Sequence, residues 1–196
     1  MEGNKDCMQR TIYLKNMICS CSIRMVKEYL ERIGVAVEEV SLGKATIRYN
    51  EKKIAFDDIR VELKLLGLEI IENRDQQLVE KIKLAVIELI HHMNNVDSIA
   101  RKKDYIVEKL GLSYTYLSRI FSAHEKITLE KYIILNKIER IKELIDQEEF
   151  TLSEIAFMMD YSSVQYLSNQ FKHITGMSVS DYKHSNRSAR IPVDAL

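Results

Sequence analysis

Apolar positions change their period partway along the chain. Thr11-Ile12-Tyr13-Leu14-Lys15 alternates at period two, the mark of a half-buried strand. Ile23, Met25, Val26, Tyr29, Leu30 and Ile33 then recur at helical spacing, and Gly34 ends that run. Residues 35–42 and 45–49 flank Gly43-Lys44, which reads as a hairpin. Residues 54–66 are amphipathic and stop at Gly67, ahead of Leu68-Glu69-Ile70-Ile71. Strand, helix, strand, strand, helix, strand is the order of a ferredoxin-like βαββαβ domain. From residue 76 onward the period is helical throughout. Leu78, Val79, Ile82, Ala85, Val86, Leu89, Ile90 and Met93 predict one helix over about 76–95. Few Gly or Pro residues interrupt it, so a stiff joint between two domains is expected. The fold class expected is α+β, with an all-α second half.

Ser-x-x-Tyr-Leu-Ser-x-x-Phe occurs twice in that second half, at residues 113–121 and 163–171. Each copy follows an apolar, turn-ended run, at 106–112 and at 155–161. The offset is 49 residues upstream and 50 downstream, so the second turn holds one extra residue. A short helix, a turn and a second helix, repeated once, predicts two helix-turn-helix units. Leu117/Phe121 and Leu167/Phe171 are four apart and mark the buried faces. Ser113 and Ser162 or Ser163 are the expected N-caps of the second helices. Thr151-Leu152-Ser153-Glu154 is a capping box, and Ser178-Val179-Ser180-Asp181 a weaker one. Between the units, a helix over about 128–145 would span roughly 27–30 Å. One turn of B-DNA is about 34 Å, so two second helices carried this way could enter successive major-groove segments.

Charge narrows the picture only slightly. The 196 residues carry 29 basic and 29 acidic side chains, so the chain as a whole is no polycation. Residues 98–190 hold 14 Lys/Arg against 12 Asp/Glu, enough for phosphate contact but with salt-sensitive affinity. Lys172, Lys183, Arg187 and Arg190 concentrate near the end, while Asp146-Gln147-Glu148-Glu149 reads as a solvated helix end. No run reaches the roughly 20 apolar residues of a membrane span, and the first residues lack a signal-peptide layout. Three cysteines supply no disulfide framework, which points to a reducing cytoplasm. No nucleophile–base set, phosphate loop or paired-carboxylate motif supports an enzyme.

Residues 76–185 resemble the bacterial AraC/XylS family of transcription regulators. The resemblance is carried by Tyr116-Leu117-Ser118-Arg119-Ile120-Phe121, Tyr132 and Ile138-Glu139-Arg140-Ile141-Lys142-Glu143-Leu144-Ile145. It continues through Ser153-Glu154-Ile155-Ala156, Tyr161-Ser162-Ser163, Phe171-Lys172, Thr175-Gly176-Met177 and Tyr182. Three positions depart from the family: Asp160 replaces a turn Gly, Val179 a Pro, and Lys137 an Arg. The resemblance implies sequence-specific binding of double-stranded DNA. It places base reading on Thr115, Ser118 and Arg119 in the first unit, and on Val164, Gln165 and Asn169 in the second. Arg119 suits guanine, Gln165 and Asn169 suit adenine, and Lys172 is an expected phosphate contact.

Residues 8–73 resemble the heavy-metal-associated, copper-chaperone-like domains of ferredoxin fold. That family carries Met-x-Cys-x-x-Cys after its first strand; here the segment is Met17-Ile18-Cys19-Ser20-Cys21-Ser22, which leaves a C-x-C. Cu(I) or Zn would need thiolates from Cys19 and Cys21, with Cys7 too distant to be a third ligand. The other reading is a decayed site holding two small residues, which the shifted spacing favours. Two classes of function follow. One is a cytoplasmic transcription regulator without a cofactor, whose N-terminal domain is a degenerate metal-sensor-like or homo-oligomerising module. The other is a metallochaperone-type protein whose helical half contacts proteins.

Overall fold

The computed structural model describes residues 7–91 and 99–184. Chain contacts divide it into two compact units, residues 1–84 and 85–196.

The N-terminal unit contains β1 (Cys7–Lys15), α1 (Ser20–Arg32), β2 (Ala36–Ser41), β3 (Lys44–Asn50), α2 (Phe56–Leu65) and β4 (Glu69–Ile71). The four strands form one antiparallel sheet in the order β2-β3-β1-β4. Alternation decides the buried face: Ile12 and Leu14 of β1, and Ala45, Ile47 and Tyr49 of β3, are buried. They form one apolar cluster with Val26 and Leu30 of α1 and Ile59 and Leu63 of α2. Truncating such a leucine to alanine costs about 2–5 kcal/mol. β1 begins four residues earlier than the alternating pattern indicates. Residues 7–10 pair with β3 from Cys7↔Asn50 to Arg10↔Ile47, yet all four side chains are exposed, so hydropathy carries no period there.

The helix α3 (Arg74–His91) contains the division between the units. The expected helix over 76–95 agrees with it as far as His91; residues 92–95 lie outside the described residues, as do Arg187 and Arg190. Thereafter come α4 (Ile99–Leu110), α5 (Tyr114–His124), α6 (Leu129–Gln147), α7 (Leu152–Met158), α8 (Val164–Thr175) and α9 (Val179–His184). Side-chain N-caps start α5, α6, α7 and α8. Ser113, Thr128, Thr151 and Ser163 accept from the backbone N–H of Tyr116, Lys131, Glu154 and Tyr166 at 3.4, 3.1, 3.3 and 3.1 Å. Each cap stabilises its helix by about 1 kcal/mol. At 19 residues α6 is about 28 Å long. No helix among the described residues is long and apolar enough to cross a membrane.

Candidate nucleic-acid interface

The C-terminal unit is built from two copies of one three-helix arrangement. Ile106 and Ile155 are both fully buried in the first helices of the pairs, α4 and α7. Leu117 and Phe121 on α5, and Leu167 and Phe171 on α8, have no exposure at all. The equivalence runs further than the nine-residue motif. Thr128 caps α6 as Ser178 caps α9, Leu129 and Val179 are both buried, and Tyr132 and Tyr182 are both buried, all at the same offset of 50. Phe121 meets the Tyr132 ring at 5.2 Å between centroids, and Phe171 meets Tyr182 at 5.6 Å. The signal was present in the sequence as a threonine and a serine opening equal apolar spacings. Helix length hid it, because α6 has 19 residues and α9 has 6.

With those faces buried, the remaining faces of α5 and α8 are set. Thr115 and Arg119 on α5, and Gln165, Asn169 and Lys172 on α8, are exposed; Ser118 and Val164 are half-buried. The Arg119 guanidinium lies 5.3 Å from the Tyr116 ring centroid, which draws the arginine along the helix surface. On α8 the Gln165 Nε2 donates to Asn169 Oδ1 at 3.0 Å, one helical turn along. The second set therefore offers amides where the first offers a guanidinium.

Both turns between paired helices use a left-handed residue: Gly111 at φ 67 and Asp160 at φ 53. Asp tolerates that region better than most non-glycine residues, which is how the departure from glycine is accommodated. The Lys137 departure has a packing role. The residue is buried, at 7% exposure, and its ammonium stands 4.1 Å from the Tyr161 ring centroid. The lysine so joins the connecting helix α6 to the turn before α8.

Between the pairs lies a cavity of ≈ 250 Å³, lined by Tyr114, Ile133, Ile134, Lys137, Tyr161 and Tyr166 among others. Burial, and a hydrogen bond to Glu130 at 3.0 Å, raise the Tyr114 hydroxyl above the ordinary phenol range. Burial and the neighbouring Tyr166 do the same for Tyr161, which donates to Gln170 Oε1 at 2.5 Å. Both hydroxyls therefore stay protonated donors at neutral pH.

The cysteine loop departs from expectation. Cys19 and Cys21 are joined to each other as a disulfide, their Cα atoms 5.4 Å apart. Cys19 is the extended residue before α1, and Cys21 lies in the first turn of that helix. Three cysteines supply no disulfide framework, yet Cys19 and Cys21, with one residue between them, form a local pair. Cys7 is free and exposed. Met17, ahead of the loop, is buried in the apolar cluster. Among the described residues no group of three or more His, Cys, Asp or Glu is arranged to hold a metal ion. Two sulfurs bonded to each other are not thiolate ligands, so the loop in this state does not fit Cu(I) or Zn.

Residues 106–185 match the family model described as a helix-turn-helix domain. The chain is 25% identical over 164 residues to the xylose operon regulatory protein of Escherichia coli K12, covering 81% of this chain and 41% of that protein. It is 24% identical over 112 residues to the probable transcriptional regulator LumQ of Photobacterium leiognathi, covering 56% of this chain and 43% of LumQ. A crystal structure of the transcriptional regulator CdpR from Pseudomonas aeruginosa aligns at TM-score 0.45 and 17% identity, over 90% of this chain and 55% of that one. The helix-turn-helix match thus lies within the C-terminal unit. The chain spans about two-fifths of the length of the curated relatives it matches.

Proposed function

We infer that this protein is a DNA-binding transcription regulator that reads two successive major-groove segments, one with α5 and one with α8. The observation that carries this reading is the repeat itself. Two helices have equivalent buried faces and equivalent serine caps, and they expose different polar sets. A duplicated interaction surface for one protein partner has no need for a guanidinium on one copy and paired amides on the other. A duplex offers different base edges at successive turns and does need it. A single chain would so read an asymmetric site. Thr115, Ser118 and Arg119 would face bases in the first segment; Val164, Gln165 and Asn169 would form the α8 surface turned to the second, with Lys172 on phosphate.

The N-terminal unit is assigned to the ferredoxin-like, heavy-metal-associated-like class on its element order and on Met17 ahead of Cys19. Its role in this reading is protein contact, self-association included. A metal role requires that the Cys19–Cys21 bond first be reduced. The metallochaperone alternative is disfavoured by the same bond.

Selecting genomic fragments with the purified full chain and footprinting the best one tests the proposal. Protection of two patches on one face, about one helical turn apart, is expected. A single short patch, or no enriched sequence, overturns the two-segment reading.

A further inference from the structure

The bond between Gln165 and Asn169 has a chemical consequence for what α8 can read. An asparagine amide has a donor end and an acceptor end, and a half-turn about its last torsion exchanges them. Adenine presents N7 as an acceptor beside an N6 amino donor in the major groove. An asparagine matches that edge in only one of its two amide orientations: Nδ2 toward N7, Oδ1 toward N6. Here Gln165 Nε2 donates to Asn169 Oδ1 at 3.0 Å, which fixes where the oxygen lies. Oδ1 retains a second lone pair for a base amino group, and both Nδ2 protons remain available. Both side chains are exposed on the same face of α8, one turn apart, so neither is committed to the core.

Resting on the DNA-reading role proposed above, we propose that Gln165 is a positioning residue. It locks the Asn169 amide in the orientation that selects adenine, and Asn169 makes the base contact in the second segment. The first unit has no counterpart, since Arg119 has donors only and needs no such lock.

The test is binding-site selection by the full-length chain and its Gln165→Met, Gln165→Glu, Asn169→Ala and Gln165→Met/Asn169→Ala variants. All substitutions are at exposed positions, and circular dichroism checks that the helices are kept. Asn169→Ala should reduce discrimination at one A·T pair by roughly 5- to 150-fold, the range for loss of a bidentate contact. Gln165→Met should reduce it at that same pair by a smaller factor, and the double variant should match Asn169→Ala. Glutamate cannot donate and accepts from Nδ2, so Gln165→Glu should turn the amide over and move preference at that pair away from adenine. A Gln165→Met effect at a different base pair, or an additive double variant, means that glutamine reads its own base and overturns the lock. Failure of the wild-type chain to select any motif strikes instead at the DNA-reading role beneath it.

Discussion

Gly111 and Asp160 occupy the same turn position in the two helix pairs, at φ 67 and φ 53. A Cβ on Gly111 would meet nothing within 4 Å, so the glycine is there for its backbone angle and not for space. Asp160 shows that a side chain can occupy this geometry when it tolerates the left-handed region.

Gly111→Ala should therefore destabilise the chain by about 1–2 kcal/mol through the backbone alone. Gly111→Asp should cost less, because it reproduces the residue that the second turn already uses. Urea denaturation of both variants checks the order. If alanine proves as stable as glycine, the angle is not what the first turn requires.

Arg119 and Lys172 should separate base reading from phosphate contact. Arg119→Ala is expected to lose about 1–3 kcal/mol on the best site and to relax preference at one base pair. Lys172→Ala should weaken all sequences alike and lower the salt slope by about one. Binding measured across a salt series on selected and scrambled duplexes distinguishes them. An unchanged motif for Arg119→Ala would reduce that residue to a phosphate contact or a bystander.

The parts legible in the sequence are those set by period and by local chemistry. The strand and helix order came from hydrophobic spacing, and the caps from Ser113, Ser163 and Thr151 preceding apolar runs. Strand residues 7–10 were not legible because all their side chains are exposed, which leaves only backbone pairing to define them. The equivalence of Thr128 with Ser178 was written in the residues but masked by the different lengths of α6 and α9. The Cys19–Cys21 pairing depends on how the chain turns into α1, which no residue count supplies. The candidate reading positions came from resemblance. The Gln165–Asn169 bond could not, since it depends on side-chain torsions that spacing leaves open.

Two carboxylates give the C-terminal unit a defined response to acid. Backbone and side-chain hydrogen bonds from Thr151 hold Glu154 below its ordinary carboxylate range. Side-chain and backbone bonds from Ser178 do the same for Asp181. A depressed folded-state pKa means that the ionised form is the one stabilised. The contribution is complete above the ordinary carboxylate pKa of about 4 and is lost as pH falls through the lower folded value. Glu154→Gln keeps a hydrogen-bonding group but not the charge. Its melting temperature should fall below that of the wild type at pH 7, and the gap should close as both are melted at progressively lower pH. A gap that widens in acid contradicts the assignment.

Within α6, Lys142 Nζ donates to Glu139 Oε1 at 2.7 Å, and the side chains are only 5% and 9% exposed. Such a pair adds little over a well-packed apolar replacement, because desolvating two charges offsets most of their attraction. Losing one member is different, since the other is left charged and buried. Lys142→Met should cost about 3–5 kcal/mol, and Glu139→Gln/Lys142→Met should recover much of that. Because α6 carries one helix pair on to the next, the single variant should also bind DNA less well once its folded fraction falls. The double variant should bind nearly as the wild type does. Urea titrations and duplex binding at one temperature measure both quantities. If Lys142→Met costs less than about 1 kcal/mol, water reaches the pair and its burial is not what holds α6 in place.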